Sequence, residues 1–297
     1  MGLRFGLLGT GFWALETHGA GLAADPDVDF VGVWGRDFGK ASAVADRYGV
    51  AAYAEVDALI EEVDAVAIAL PPDIQAELAV RAASAGRHLL LDKPLSLSVA
   101  DADRVVETVE GNGVASVVFF TSRFVPGVAD WLQQIQGREW HGARATWFGS
   151  IFQPGNPYGA SPWRRTKGAL WDVGPHALSM TLPLLGPAAR ITAAGGLGDT
   201  VHLIVGHESG ASSTLSLSLS VPPAASITDF AVYGPSGFEP MPDLDTTAVE
   251  AFGHALAQLR ANVDTGQTAH PCDVRFGREV VAILQTAQEQ LPEAMPA

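Results

Sequence analysis

Three side chains that can move a proton at a carbon-bound oxygen occur at Lys93, Asp172 and His176. A lysine at a strand end can polarise a carbonyl or supply a proton, and imidazole is the usual general base near neutral pH. Pro175 is typical of the first turn of a helix, whose positive end favours a neutral His176 that can accept a proton. Asp172, just before that helix, can orient the imidazole or bind a substrate hydroxyl. A solvated lysine, ordinary helix-start residues and a buried histidine are the alternative interpretation.

A second group of residues can hold a phosphorylated cofactor. An apolar run at residues 3–8 leads into a G-x-G-x-x-A turn, Gly9-Thr10-Gly11-Phe12-Trp13-Ala14. Glycines permit a tight strand-to-helix turn, and the free N–H groups of the next helix attract phosphate. The same stretch could pass for a short secretory signal. Its glycines suit a strand and turn better, and the single cysteine, Cys272, gives no disulfide framework and is assigned to packing.

The end of the second strand decides how the ribose of adenosine would be recognised. There the chain reads Trp34-Gly35-Arg36-Asp37, with Lys40 close by. An acidic residue at the strand end binds a ribose 2′-hydroxyl, whereas an arginine accommodates a 2′-phosphate. A strand that ends at Trp34 leaves Arg36 for a phosphate, which favours NADP. Asp37 is the alternative ribose ligand, which would favour NAD, or it caps the following helix.

The elements that must position these residues alternate in the first part of the chain. Apolar strands are predicted at residues 3–8, 28–34, 64–70, 88–91 and 115–120. Helices are predicted between them at residues 12–24, 41–48, 74–85 and 100–110. This alternation predicts a doubly wound parallel sheet, a Rossmann domain, at residues 1–122. Ligands bind at the carboxyl ends of such strands, which is where Leu70-Pro71 and Asp92-Lys93 lie.

Strands follow one another directly in the rest of the chain, residues 123–297. They are predicted at residues 143–152, 191–194, 201–206, 212–221 and 227–233, and two helices at 246–263 and 273–290 close the chain. This order predicts an α+β domain with a large, mostly antiparallel sheet. Residues 214–221 alternate small hydroxyl with apolar side chains, so the hydroxyl face is either hydrated or covered by another subunit. We expect a homo-oligomer, dimer or tetramer, formed through this sheet.

The composition restricts the partners. The 297 residues carry a formal net charge of −15, which repels nucleic acid and anionic membrane surfaces. Hydrophobic residues make up 47% and charged residues 17%, which is typical of a compact globular protein. No uncharged stretch is apolar enough to span a bilayer, and no cysteine–histidine spacing predicts a metal site. We expect a soluble, cytoplasmic protein that binds a small molecule and no metal.

One short segment concentrates cations in this acidic chain. Arg164, Arg165 and Lys167 follow Trp163 and precede Asp172. They could grip a cofactor phosphate or an acidic substrate, or they could form a solvated basic loop. The sequence leaves these alternatives open.

Taken in order over nearly the whole chain, these residues resemble the glucose-fructose oxidoreductase / inositol dehydrogenase / MocA (Gfo/Idh/MocA) family. The motifs are Gly9-x-Gly11-x-x-Ala14, Pro71-Pro72, Asp92-Lys93-Pro94, Arg123-Phe124-x-Pro126 and Asp172-x-Gly174-x-His176. The resemblance implies a nicotinamide-dependent oxidoreductase for a sugar, cyclitol or related carbinol, with Lys93, Asp172 and His176 as its catalytic set. It implies that His176 takes the proton, Lys93 holds the reacting oxygen and Asp172 positions substrate or histidine. It also implies a cis Lys93–Pro94 peptide bond.

The resemblance and the strand ends together define the expected binding residues. For the cofactor we expect Gly9, Thr10, Gly11, Phe12, Trp13, Arg36, Lys40, Leu70, Pro71, Gln75, Asp92 and Lys93. For the substrate we expect Arg123, Trp163, Arg164, Asp172 and His176. Three positions depart from the family: Asp92 replaces the usual glutamate, Gln75 a frequent histidine, and Lys167-Gly168-Ala169 a glycine run. Arg36 matches the NADP-using members better than the aspartate of the NAD-using ones.

The sequence therefore predicts an NADP(H)-dependent dehydrogenase or reductase. One alternative is a non-catalytic dinucleotide sensor or regulator with the same fold, since fold does not fix function. The other is a reductase of an imine or a conjugated double bond, as in biliverdin-type reductases.

Overall fold

The computed structural model describes residues 2–291, which form two compact units. Unit 1 contains residues 2–125 and 246–279, and unit 2 contains residues 126–245 and 280–291. The chain thus leaves unit 1 after residue 125, returns to it at residue 246 and leaves it again after residue 279. Compactness alone does not define a domain that folds or binds by itself, so the domain division at residues 122 and 123 stays a prediction.

Unit 1 is built on a sheet of six parallel strands. They are Leu3–Leu8 (β1), Val28–Trp34 (β2), Ala51–Tyr53 (β3), Ala65–Ile68 (β4), His88–Asp92 (β5) and Ser116–Phe119 (β6). Their order in the sheet is β3-β2-β1-β4-β5-β6, the doubly wound order in which the chain reverses its direction of travel between β1 and β4. The predicted Rossmann domain is confirmed. The sequence analysis did not predict β3, whose three residues are too few to carry an apolar pattern.

Helices connect these strands and cover the sheet. They are Ala20–Ala24 (α1), Phe38–Tyr48 (α2), Val56–Glu62 (α3), Pro72–Ser84 (α4) and Val99–Asn112 (α5). Asp37 and Ser98 cap α2 and α5 by accepting a hydrogen bond from a backbone N–H three residues later. Gly49 and Gly113 end the same helices in the left-handed conformation. Leu7, Val66 and Ile68 have no exposed surface, because helices lie on both faces of a parallel sheet.

Unit 2 is built on a second six-stranded sheet. Its strands are Gly142–Phe148 (β7), Ala188–Gly195 (β8), Val201–His207 (β9), Ser212–Ser218 (β10), Ile227–Gly234 (β11) and Gly237–Pro240 (β12). Their order is β12-β11-β7-β10-β9-β8, and β7 with β10 is the one parallel pair among these five pairings. The prediction of a mostly antiparallel sheet is confirmed. The hairpin partner β12 was not predicted, because its four residues include a glycine and a proline.

Three α-helices of the described residues lie entirely in unit 2: Pro126–Ile135 (α6), Pro162–Asp172 (α7) and Gly174–Leu185 (α8). Both α7 and α8 pack on the sheet at β10. Leu215 and Leu217 of β10 point to the packed face and are buried, whereas Thr214 is exposed on the opposite face, hereafter the open face. Successive side chains of β10 therefore point to opposite faces of the sheet, which explains the alternation seen in its sequence.

Two long helices close the chain, Ala248–Thr265 (α9) and Val274–Gln288 (α10). Helix α9 begins with a capping box between Thr247 and Glu250 and packs in unit 1. A Cβ on Gly21 of α1 would lie 2.3 Å from the ring of Phe252, so only glycine allows this close approach. Within residues 2–291, no helix is both long and apolar enough to cross a bilayer.

Candidate active site

The glycine turn after β1 fits closely between the neighbouring strand ends. Gly9 has a φ of 144°, and a Cβ there would lie 2.5 Å from the carbonyl oxygen of Ala69, just after β4. Its N–H donates to the carbonyl of Trp34 at the end of β2, at 2.9 Å. A Cβ on Gly11, by contrast, would meet no atom within 4 Å. Packing therefore requires glycine at position 9, whereas glycine at position 11 keeps the backbone accessible to a phosphate group.

The helix after this turn begins with two aromatic residues and then widens. Phe12 is 46% exposed, whereas the ring of Trp13 stacks on Phe119 with centroids 6.4 Å apart. Residues Ala14–Gly19 form a π-helical turn that runs into α1. Such turns are rare and occur frequently at functional sites. The predicted helix at residues 12–24 is therefore present, with this local change of period.

His18 lies inside the π-helical turn and is fully buried. Its closest ring neighbour is Phe252, with centroids 4.5 Å apart, and Phe119 lies at 6.1 Å. Neither ring nitrogen has a hydrogen-bond partner among the described residues. Burial lowers the pKa of His18 to about 3, because the charged imidazolium would lose its hydration. Nothing in the local sequence distinguishes this histidine from a surface one, and the sequence analysis missed it.

The end of β2 has no room for an acidic side chain while Thr10 keeps its position. A Cβ on Gly35, the residue after β2, would lie 2.5 Å from the methyl group of Thr10. Asp37 accepts a hydrogen bond from the backbone N–H of Lys40 at 3.1 Å, so its interpretation as a helix cap is confirmed. The side chains of Arg36 and Lys40 are exposed, and neither forms an ion pair within residues 2–291. Two free cations thus lie where an adenosine ribose would be recognised.

A buried glutamine holds the loop that carries Lys93. Gln75, on α4, has no exposed surface, and its amide nitrogen donates to the carbonyls of Asp92 at 2.7 Å and Pro94 at 3.1 Å. Its amide oxygen accepts from the backbone N–H of Asp92 at 3.0 Å. The carboxylate of Asp92 in turn accepts from the N–H of Lys93 at 2.8 Å. The Lys93–Pro94 peptide bond is cis, as the sequence predicted.

The predicted cofactor residues all lie at one edge of the unit 1 sheet. Strands β2, β1, β4 and β5 are neighbours and run parallel, so their carboxyl ends meet at the same edge. Residues that follow or end these strands are Gly9 to Trp13, Arg36, Lys40, Leu70, Pro71, Asp92 and Lys93. Gln75 joins them through its hydrogen bonds to the β5 loop. This edge, where the strand order reverses, is the usual ligand site of a doubly wound sheet.

Arg123 and the other predicted substrate residues belong to different units. It belongs to a 3₁₀ turn of unit 1, Thr121–Phe124, and its guanidinium lies over the ring of Phe276 at 5.7 Å. Trp163, Arg164, Asp172 and His176 belong to unit 2. The contact with Phe276 gives Arg123 a cation–π partner within unit 1.

Asp172 and His176 lie on either side of a helix junction. Asp172 is the last residue of α7, and His176 lies in the first turn of α8 after Pro175, as predicted. The imidazole of His176 lies parallel to the ring of Trp147 on β7, with centroids 5.8 Å apart and an interplanar angle of 11°. Stacking on one face fixes the plane of the imidazole and leaves its nitrogens at the ring edge. Trp147 was missed by the sequence analysis, because no local spacing links a strand residue to a distant helix start.

The carboxylate of Asp172 is held by an arginine. The Nε of Arg164 donates to Oδ2 of Asp172 at 3.0 Å, and the two side chains are 17% and 9% exposed. Removing one partner of such a buried pair leaves an uncompensated charge and costs roughly 3–5 kcal/mol. Arg164, predicted as a substrate ligand, thus has a defined structural partner.

Arg164 and two further cations of the same helix, Arg165 and Lys167, lie over four aromatic rings, and we call these three cations and four rings the cation–ring cluster. The guanidinium of Arg164 lies 4.8 Å from the ring centroid of Trp163 and 5.2 Å from that of Tyr158. The other contacts are Arg165 over Phe152 at 4.8 Å and Lys167 over Trp171 at 5.8 Å. Gly168 interrupts α7 with a φ of 65°, a conformation that favours glycine. Phe152 and Tyr158 were not predicted, since they come from an irregular segment far from the basic residues.

Among residues 2–291, no three or more histidine, cysteine, aspartate or glutamate side chains are arranged to hold a metal ion. Cys272 is buried in unit 1, and burial raises the pKa of its thiol to about 11. This environment disfavours the reactive thiolate.

Two sequence models of one family match the chain. The model described as "Oxidoreductase family, NAD-binding Rossmann fold" matches residues 3–120, and the model described as "GFO/IDH/MocA C-terminal domain" matches residues 139–238. Together they cover most of both units.

Individual proteins are similar over different lengths. The chain is 29% identical to dTDP-3,4-didehydro-2,6-dideoxy-alpha-D-glucose 3-reductase of Streptomyces violaceoruber, over 96% of this chain and 93% of that protein. It is 33% identical to an uncharacterised oxidoreductase of Rhizobium meliloti over 37% of this chain, but the match spans only 34% of that relative. Levoglucosan dehydrogenase in complex with NADH and levoglucosan has the same fold, with a TM-score of 0.85 at 19% identity, covering 98% of this chain and 97% of that one.

Proposed function

The chain belongs to the GFO/IDH/MocA family of oxidoreductases, and on that premise we propose that it transfers hydride between NADP(H) and a sugar, cyclitol or related carbinol or carbonyl compound. The observation that carries the proposal is that Lys93, Asp172 and His176 are all present and that a neighbouring side chain holds each of them or its loop in position. The Lys93 loop is held by Gln75, Asp172 by Arg164, and His176 by Trp147. A sensor that only binds dinucleotide would have no use for this set. The named relatives that act on sugars support the substrate class.

The residues of unit 1 fit a dinucleotide. The backbone N–H groups around Gly11 and the start of the following helix would hold the pyrophosphate, since no Cβ fills the approach to this turn. Phe12, Leu70 and Pro71, at the same sheet edge, would contact the rest of the cofactor. When bound, the cofactor supplies or accepts a hydride at its nicotinamide ring.

The chain's own side chains handle the proton and the oxygen. We assign to Nζ of Lys93 a hydrogen bond to the oxygen on the reacting carbon, which polarises a carbonyl and stabilises a developing alkoxide. A ring nitrogen of His176 accepts the hydroxyl proton during oxidation and returns it during reduction. Asp172 positions the substrate or the imidazole, with Trp163, Arg164 and Arg123 as further substrate contacts.

We assign NADP rather than NAD as the preferred cofactor. Thr10 occupies the space that an acidic side chain at position 35 would need, Asp37 caps α2, and Arg36 and Lys40 supply free positive charge. A charge-assisted contact to the 2′-phosphate contributes roughly 1.5–3 kcal/mol. Arg36→Gln should therefore raise KM for NADP about 10- to 100-fold and leave KM for NAD nearly unchanged. A variant that loses NAD and NADP binding equally, or an Asp37→Asn variant that loses NAD binding alone, would contradict this assignment.

The reaction itself is tested by cofactor absorbance with a substrate panel. The purified chain is mixed with NADPH and ketoses, inososes and keto-sugars, and with NADP and the corresponding alcohols. The proposal predicts turnover that Lys93→Met reduces by orders of magnitude in kcat, with KM for the cofactor preserved. Lys40→Met is the matched comparison, which should raise KM for NADP and spare kcat. Cofactor binding without turnover of any compound would identify a dinucleotide sensor. Turnover of imines or enones alone would identify a reductase of imines or conjugated double bonds.

The open face of the unit 2 sheet supports a homo-oligomer. Large apolar side chains on this face are 40–56% exposed, namely Ile204, Ile227, Tyr233 and Phe238. They lie on β9, β11 and β12, on the same face as Thr214. Tyr233 and Phe238 are paired neighbours, whereas Ile227 and Ile204 lie elsewhere on this face. Exposed large apolar side chains of this kind are typical of interaction surfaces. We assign this face to contact with a second copy of the chain, in a cytoplasmic protein whose other partner is the small-molecule substrate.

A further inference from the structure

We propose that the cation–ring cluster binds an anionic group of the substrate, so that the proposed enzyme acts on a sugar that carries a phosphate, a phosphodiester or a carboxylate rather than on a neutral sugar. The inference rests on the proposed oxidoreductase function, which it makes more specific. It selects one of the alternatives that the sequence left open for Arg164, Arg165 and Lys167.

The charge of the cluster is unusual for this chain. The net charge is −15, and three of the 18 lysine and arginine residues lie within residues 164–167. The side chains of Arg165 and Lys167 form no ion pair or hydrogen bond with the described residues. Several exposed arginines elsewhere, such as Arg47 and Arg138, pair with glutamates, and the other exposed cations already described without an ion pair are Arg36 and Lys40 at the proposed cofactor edge. In a protein with 33 acidic residues, Arg165 and Lys167, two positions apart on α7, each carry a positive charge that has no carboxylate partner among the described residues.

The rings hold these cations without neutralising them. Arg165 lies over Phe152 and Lys167 over Trp171, at 4.8 and 5.8 Å. Stacking occupies the face of a guanidinium and leaves the N–H donors at its edge available to a planar or tetrahedral anion. The side chains are therefore already ordered in part, which lowers the entropic cost of binding.

The cluster is joined to the candidate catalytic carboxylate. Arg164 belongs to the cluster and forms the buried ion pair with Asp172, and Trp171 precedes Asp172 in the chain. The break at Gly168 separates the segment with the cations from the segment that ends at Asp172. A substrate whose hydroxyl contacts Asp172 can thus place a charged substituent against Arg165 and Lys167. These links favour a substrate anion over a solvated loop.

The test compares charged and neutral probes with matched variants. Binding of glucose, glucose 6-phosphate, UDP-glucose, glucuronate and inorganic phosphate is measured by isothermal titration calorimetry, and turnover is measured in parallel with NADP. We expect at least one of the charged sugars to bind at least tenfold more tightly than glucose. Arg165→Gln and Lys167→Gln should each weaken that binding about tenfold, equivalent to about 1.4 kcal/mol. The control is Arg138→Gln, an equal charge change in unit 2 at an arginine paired with Glu239.

The outcomes separate this inference from the proposed function. Unchanged affinity in both glutamine variants, equal affinity for glucose and every charged probe, or an effect confined to KM for NADP would each overturn the inference. Turnover of neutral sugars alone would refute it and leave the oxidoreductase function intact. Binding of a charged sugar through Arg165 and Lys167 without any hydride transfer would support the anion site and refute the proposed function. The charged sugar that binds most tightly, glucose 6-phosphate, UDP-glucose or glucuronate, identifies whether the anionic group of the substrate is a phosphate, a diphosphate or a carboxylate.

Discussion

Replacing the buried histidine of the π-helical turn should change how stability depends on pH. In the folded chain burial lowers the pKa of His18 from 6.5 to about 3, so the folded state binds this proton more weakly than the unfolded chain. The contribution of a neutral His18 to stability is therefore complete above pH 6.5 and is lost as the pH falls from 6.5 towards 3. Each pH unit within that window costs about 1.4 kcal/mol, so acidification to pH 5 costs about 2 kcal/mol. This is a large part of a typical total stability of about 5–15 kcal/mol.

The measurement is urea unfolding of wild type and His18→Leu at pH 7.5, 6.5, 5.5 and 5.0. Leucine fills a similar volume and has no ring nitrogen to bury, so the variant should be at least as stable at pH 7.5 and lose about 2 kcal/mol less than wild type by pH 5. His254→Gln, at an exposed histidine of α9, is the matched control and should follow the wild-type curve. Parallel loss of stability in wild type and His18→Leu would refute the reasoning, because it would show that another group causes the acid sensitivity.

Three further predictions concern positioning and assembly. Gln75→Leu leaves the backbone polar groups of the Lys93 loop without their buried partner, so the free energy of unfolding should fall by about 3 kcal/mol. In the same variant kcat should decrease by a larger factor than the factor by which KM for NADP changes. A kcat equal to that of wild type would contradict a positioning role. Arg164→Gln should destabilise the chain by roughly 3–5 kcal/mol in thermal unfolding, and the double variant with Asp172→Asn should recover part of that loss, whereas additive losses would argue against the ion pair. Ile204→Glu with Phe238→Glu should convert an oligomer into monomers in light scattering without loss of secondary structure; an unchanged mass would exclude the open face as the interface.

The sequence predicted the order of elements because strand and helix periods are local properties. Strand β4 is a continuous apolar run, β1, β2, β5 and β6 are mostly apolar, and β10 alternates with a period of two. The short strands β3 and β12 have too few residues to show a period. Helix α3 begins three residues after β3 ends, and neither element was predicted from the sequence of this short connecting segment.

The site residues were predicted only as far as their types are diagnostic. Lys93, Asp172 and His176 have side chains whose chemistry is visible in the sequence. The groups that support them, such as Gln75 and Trp147, act through contacts between distant segments, which no spacing encodes. The role of Asp37 depended on one hydrogen bond to the next turn, and the sequence could state the alternatives but not choose between them.

The contact between Thr10 and Gly35 makes cofactor preference a property of two positions rather than one. A Cβ at position 35 would lie 2.5 Å from the methyl group of Thr10, so an acidic residue there requires the side chain of Thr10 to move, and the single substitution towards NAD should be less effective than the same substitution combined with a smaller residue at position 10. Cofactor preference therefore depends on both positions, and Gly35→Asp should bind NAD more tightly together with Thr10→Gly than alone.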